Sequence, residues 1–282
     1  MAARFAIDRL EIFTNCYGRF GVAAAMEHAP TMGVHALEVA LKPHGGLLEI
    51  PESAVASEKM SGEAVAGLKA ALAEHRLRVP TCNGLQHVMT DEGFETCKAR
   101  LNLAAALGAT VLTGSADDVP EAQLRLLYDR LLRLADYAGQ RGITLALETH
   151  PGIAQNATRA LRAMHDLQHP RIRLNWDTAN VYYHNEGMQD GEAELERVAP
   201  YVVHLHLKDC RRGYHDWYFP ALGEAGGVDF ANVGRILEEA GFQGTFSIEL
   251  EGVKGEPEQT LEERQRRLER SVQYLRDVGL VG

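Results

Sequence analysis

Four short apolar runs in the second half of the chain end in the same way, and this repetition limits the folds open to the sequence. They are Ile143–Glu148, Ile172–Asp177, Tyr201–Lys208 and Thr245–Leu250, each followed by a helical pattern. In Tyr201–Lys208 a period of two sets His204 and His206 on one face, with Val203, Leu205 and Leu207 on the other. The run then breaks into Lys208, Asp209, Arg211 and Arg212. A buried strand that stops in charged groups places chemistry at the mouth of a parallel barrel.

The first half has the same alternation. Strands are expected at Phe5–Phe13, Ala36–Leu41, Arg78–Asn83 and Thr110–Thr113. Helices are expected at Val22–Met32, Glu63–His75 and Glu92–Leu107, the last closed by Gly108. Pro120 opens a fourth helix striped by Leu124, Leu127, Leu131, Leu134 and Ala138. The later helices fall at Thr158–Gln168, Glu192–Ala199, Phe230–Ala240 and Thr260–Val278. Eight strand-helix units in 282 residues, with no linker or shift of composition, predict a single-domain (β/α)8 TIM barrel over residues 1–282. A Gly/Pro-rich connection over 42–61 leaves the same face and is expected to act as a lid.

Several functions are disfavoured. The net charge of −10, without a basic run, argues against a nucleic-acid partner. Arg4, Asp8, Arg9 and Glu11 interrupt the apolar N-terminal stretch, so neither a signal peptide nor a membrane span is expected. Four scattered cysteines without CxxC spacing predict reduced thiols and a cytoplasmic protein. There is no GxGxxG after the first strand, and no GxxxxGK[ST], GxSxG or HExxH.

Glu148, Asp177, His206 and Glu249 stand at the ends of the four late strands, 29, 29 and 43 residues apart. One strand-helix unit takes roughly 30 residues, so these groups sit on adjacent strands. A lone carboxylate there is usually a helix cap, as Asp177 would be, or half of an ion pair, as Glu249 would be with Lys254. Three carboxylates and an imidazole in register instead make an oxygen-rich site for one divalent cation. Mn²⁺ is the expected ion, with Mg²⁺, Co²⁺ or Zn²⁺ as alternatives, and two positions stay open for substrate oxygens.

This pattern resembles the xylose isomerase-like sugar phosphate isomerase/epimerase superfamily, most specifically over Glu148 to Glu251. The resemblance to its ketose 3-epimerase branch implies that Glu148, Asp177, His206 and Glu249 bind the metal, and that Glu148 and Glu249 are the acid/base pair. It also implies that Arg212 binds substrate, and that the protein forms homodimers or homotetramers. Asn180 stands where those epimerases carry a histidine. The apurinic endonucleases of the superfamily carry a late Asp and His where this chain has Trp217 and Phe219, and Val111–Gly114 adds no histidine; one metal ion is therefore expected.

The implied reaction is proton abstraction α to a metal-bound carbonyl of a small ketose or keto-polyol, through an enediolate. Proton return gives epimerisation or aldose–ketose isomerisation; departure of a β-hydroxyl gives a dehydratase. An inactive sugar-binding barrel is a further alternative. Asn180, His150, Lys208, Glu38, His87 and Trp217 are candidate substrate contacts, with Glu38 and His87 expected on the barrel rim. Lys208 and Asp209 are expected to pair with each other, His204 to be structural, and Glu251 to orient a ligand. Tyr218 and Phe219, with Trp217, are expected to stack on a sugar or cover the pocket.

Overall fold

A computed structural model describes residues 3–42 and 56–282. Eight parallel strands close a barrel: β1 Leu10–Phe13, β2 Ala36–Lys42, β3 Arg78–Leu85, β4 Val111–Gly114, β5 Thr144–Glu148, β6 Ile172–Asp177, β7 Val202–Leu207 and β8 Thr245–Ile248. Each pairs with its sequence neighbours, and β1 pairs with both β2 and β8, so no barrel edge is left open. The outer layer is α1 Gly21–His28, α2 Gly62–Glu74, α3 Asp91–Leu107, α4 Leu124–Gly139, α5 Ala157–Leu167, α6 Gly191–Val198, α7 Phe230–Glu239 and α8 Leu261–Asp277. The expected (β/α)8 architecture is therefore present.

Local chemistry sets the helix ends. Ser61, Thr90, Asn156, Asp190 and Asp229 each accept a backbone N–H as N-caps. Thr260 and Glu263 form a reciprocal capping box at the start of α8. Gly108 closes α3 at φ 90°, as its position in the sequence suggested. The expected helix to Met32 stops at His28, and Ala29–Met32 tightens into a 3-10 turn around Pro30.

β1 is also shorter than the expected Phe5–Phe13. Residues Ile7–Arg9 form a 3-10 turn and Phe5 bridges to Val281 near the C-terminus. Its ring meets Phe246 at 5.5 Å and Phe242 at 6.2 Å. Most of the expected lid lies at 43–55, outside the described residues.

The barrel interior is unusually polar for a layer that most often holds branched aliphatics. Glu11, Glu38, Thr81, Thr113, Asn175, His204 and Ser247 are all fully buried. His204 bonds Asn175 Oδ1 at 3.0 Å and Ser247 Oγ at 3.1 Å, and Thr81 donates to Glu11 at 3.0 Å. These pairings meet the cost of burying polar groups. Glu11 Oε2 alone among these atoms has no hydrogen-bond partner.

Burial and the nearby Glu38 carboxylate push the Glu11 pKa from 4.5 up to about 8. The folded protein then holds a proton that the unfolded chain releases above pH 4.5, so stability should fall as pH rises towards 8. Urea unfolding of Glu11→Gln across this range is expected to lack that decline. An identical decline in the variant would assign it to other groups.

Candidate metal centre

The register of the late strands brings the chain's strand-end groups together. Asp177 on β6 is the direct partner of His206 on β7, and Ser247 on β8 is the partner of His206 on the other side. Glu148 ends β5, and Glu249 immediately follows β8. One potential ligand atom from each of Glu148, Asp177, His206 and Glu249 lies within 4.8 Å of the others, and all four residues are buried. The four groups picked out by their spacing thus converge.

His206 Nδ1 lies 3.3 Å from Glu148 Oε1 and 3.2 Å from Glu249 Oε2. Asp177 Oδ1 accepts the backbone N–H groups of Ala179 and Asn180, both at 2.8 Å. It therefore caps the turn after β6, while Oδ2 faces Lys208 Nζ at 3.2 Å. The capping role and a place in the cluster occur in the same carboxylate.

The expected Lys208–Asp209 pair does not form: both residues lie just past the end of β7, and each side chain finds its own partners. Lys208 is buried and reaches Asp177, Glu249 Oε2 at 3.1 Å and Glu251 Oε2 at 2.7 Å. Its Nζ also lies 3.4 Å from Asn180 Oδ1 and 4.8 Å from the Phe219 ring centroid. Asp209 turns the other way and accepts backbone N–H groups from Cys210, Gly223, Ala225, Gly226, Gly227 and Val228. A Cβ at residue 227 would lie 1.9 Å from Cys210 O, so glycine is required for this wrap. Asp209 organises the loop after β7.

The charges show what the cluster lacks. Burial drives Asp177 up to about 7, and Lys208 beside it does not offset that while Glu249 and Glu148 repel it. Against the same burial, Lys208 and His206 hold Glu249 well below the usual carboxylate range, and His206 lowers Glu148. His206 is itself raised well above its ordinary value: burial opposes its charge, but Glu38, Glu249 and Glu148 prevail. Glu249 Oε2 is buried near Lys208 and His206 but aligned with neither as a hydrogen bond. Three crowded carboxylates, one pushed towards protonation and one with an orphan oxygen, fit a hard divalent cation.

Asn180 follows Asp177 by three residues on a short helix, Asn180–Tyr183, that the sequence reading did not anticipate. Its Nδ2 is 3.5 Å from Glu148 Oε1. His150 stays beside the cluster despite Pro151, with Nε2 3.5 Å from Glu148 Oε1. Its ring lies 4.9 Å from that of His184, a neighbour missed in the sequence. The one available signal was the spacing of four between Asn180 and His184 on a helical turn. Burial and the charges of His150 and Lys208 lower His184 to about 4.

The other sequence-selected groups lie beneath the cluster or outside it. Glu38 is not on the rim: it is buried beneath His206, with Oε2 3.0 Å from Nε2. His204 sits one layer deeper, as expected, and burial holds it neutral with a pKa of about 4. His87 is exposed near Asp117 Oδ1, at 3.9 Å, beside a polar cavity shared with His150. Arg212 contacts Glu192, Gln189 O and Gly227 O, with its guanidinium 5.2 Å from the Tyr182 ring.

The aromatic loop residues divide in the same manner. Trp217 is partly exposed and packs against Tyr183 and Phe219. Tyr218 and Phe219 form a two-residue antiparallel ribbon with Gly252 and Val253. This ties the β7 loop to the segment that carries Glu249 and Glu251.

The sequence matches the Xylose isomerase-like TIM barrel family over residues 26–277, and the chain belongs to that family. It is 28% identical over 146 residues to an inosose dehydratase of Erwinia tasmaniensis, covering 46% of this chain and 49% of that protein. The chain thus spans about half the length of the curated dehydratases it matches. An L-ribulose-5-phosphate 3-epimerase of Salmonella paratyphi A is 26% identical over 200 residues, 65% of this chain and 68% of the epimerase. A D-psicose 3-epimerase from Clostridium cellulolyticum H10, solved with D-tagatose, superposes with a TM-score of 0.74 at 14% identity, covering 97% of this chain and 99% of the other.

Replacing Asp209 by Asn removes the charge that six N–H groups share. A loss of about 2–4 kcal/mol in unfolding free energy is expected, with faster proteolysis within 211–227. Unchanged stability and cleavage would show that the loop holds itself.

Proposed function

We propose that this chain is a divalent-metal-dependent enzyme acting on a small polyhydroxylated ketone, as a sugar epimerase or aldose–ketose isomerase. The observation that carries this reading is the convergence of Glu148, Asp177, His206 and Glu249 on one buried point. These four residues would hold the ion, with Mn²⁺ preferred by analogy to the expected ligand set. When bound there, a divalent cation supplies Lewis-acid polarisation of a substrate carbonyl.

The chain's own residues then have distinct tasks. Glu148 and Glu249 enter from β5 and from the end of β8, on either side of His206. One carboxylate takes the proton α to the carbonyl and the other returns one. His150 Nε2, 3.5 Å from Glu148 Oε1, is placed to exchange that proton with solvent. Lys208 is raised well above its ordinary value, against burial, by Asp177, Glu249 and Glu251; it acts as a fixed positive charge rather than a proton donor. Asn180 binds a substrate hydroxyl between Glu148 and Lys208. Arg212, His87 and Trp217 serve as outer contacts for the sugar.

A second reading, loss of a β-hydroxyl as water, is favoured by Asn180. It replaces a titratable histidine of the epimerases resembled, and the dehydratase relatives point the same way. The four cysteines are buried free thiols, which supports a reducing compartment such as the cytoplasm. No described helix is long and apolar enough to cross a membrane. A homodimer or homotetramer is the assembly we expect.

The test is proton NMR in deuterated water with Mn²⁺, Mg²⁺ or Co²⁺ and a panel of ketoses, ketose phosphates and keto-inositols. Epimerisation should place deuterium on the carbon next to the carbonyl and yield the isomeric ketose. Dehydration should instead yield a deoxy-keto or unsaturated product. Glu249→Gln is expected to lower turnover by roughly 10²–10⁴-fold. Sugar binding without exchange or product, equal in the native protein and the variant, would identify a binding barrel.

A further inference from the structure

Glu38 was expected on the substrate rim, yet it faces the far side of the imidazole at the centre of the cluster. His206 Nε2 lies 3.1 Å from Glu38 Oε1 and 3.0 Å from Oε2, while Nδ1 faces Glu148 and Glu249. The two ring nitrogens therefore serve opposite directions, one into the candidate metal cluster and one into the barrel floor.

A chain of donors fixes which group gives the hydrogen bond. Asn83 Nδ2 donates to Thr113 Oγ1 at 3.0 Å. The Thr113 hydroxyl donates to Glu38 Oε1 at 2.6 Å. Glu38 is thereby engaged as an acceptor, and its position beside Nε2 calls for an N–H on that nitrogen. The Phe13 ring stacks on His206 at 5.3 Å and 19°, which limits rotation of the imidazole.

Glu38, His204 and His206 also lie close enough together to resemble a second metal site. His204 argues against that use: Nδ1 is taken by Asn175 and Nε2 by Ser247. With no ring nitrogen of His204 free, Glu38 has His206 as its main task.

We propose that Glu38 is a positioning residue of the metal centre. Its carboxylate holds the Nε2–H of His206 and so presents Nδ1 as the ligand atom towards Glu148, Asp177 and Glu249. The inference rests on the metal reading above. A carboxylate behind a metal-bound histidine orients the ring and strengthens the nitrogen as a ligand, and its loss typically weakens metal binding 10–100-fold.

The test is Co²⁺ titration of the metal-free protein, followed by visible absorption and by competition with a fluorescent chelator. Glu38→Ala is expected to bind roughly 10–100-fold more weakly and to show an altered Co²⁺ spectrum. Glu38→Gln keeps an acceptor oxygen and should recover most of the affinity, which a purely structural role would not require. Nitrogen-15 NMR of the Zn²⁺-loaded native protein should place the His206 ring proton on Nε2, and this readout stands even if Glu38→Ala fails to fold.

A folded Glu38→Ala with native affinity and spectrum, or a ring proton on Nδ1, overturns the assignment of Glu38 while leaving the metal centre intact. A native protein that takes up no Co²⁺ or Zn²⁺ overturns the metal reading itself, and the role of Glu38 falls with it.

Discussion

Three carboxylates crowded at the mouth of a barrel set the terms for everything around them. Glu148, Asp177 and Glu249 are withdrawn from water and face one another, with Lys208 and His206, among the described residues, as counter-charges in the cluster. Buried like charges repel strongly at such range, and desolvation adds to the cost. The consequence is visible in Asp177, pushed up to about 7 even with an ammonium beside it. A divalent cation would remove that conflict, and the fold holds the groups in place for one.

The scaffold accounts for this placement. Parallel pairing fixes Asp177 opposite His206, and closure of β1 onto β8 brings Glu249 round to the same mouth. Below the cluster, the donors and acceptors of the barrel floor are matched in sequence from Asn83 through Thr113 to Glu38 and His206. Above it, Asp209 gathers the turns of the loop after β7, and the ribbon of Tyr218–Phe219 with Gly252–Val253 joins that loop to the exit of β8. Floor and mouth are each tied by hydrogen bonds that leave the central oxygens facing inwards.

Much of this was legible in the sequence because it depends on short periods. Alternation of apolar strands with striped helices gave the barrel, and charges at strand ends gave the four converging groups. What escaped depends on distant partners. Phe5 leaves β1 because its bridge partner is Val281, at the other end of the chain. Glu38 looked like a rim group because its depth depends on how β2 is registered against β3, where the pairing shifts between Ala36 and Glu38. Lys208 and Asp209 looked like a pair, but the acceptors of one and the donors of the other come from different loops. His184 caps a helical turn of four residues, Asn180–Tyr183, where one spacing of four is the whole signal.

We propose that the buried carboxylates and His206 hold one divalent ion. The most direct test is elemental analysis of the protein purified without added metal, followed by metal titration, in parallel with Asp177→Asn. The expected result is about one ion of the manganese, magnesium or cobalt class per chain, with occupancy clearly reduced in the variant. No ion as purified and none taken up on titration would contradict it. So would equal uptake by a folded Asp177→Asn protein, which would place the metal elsewhere.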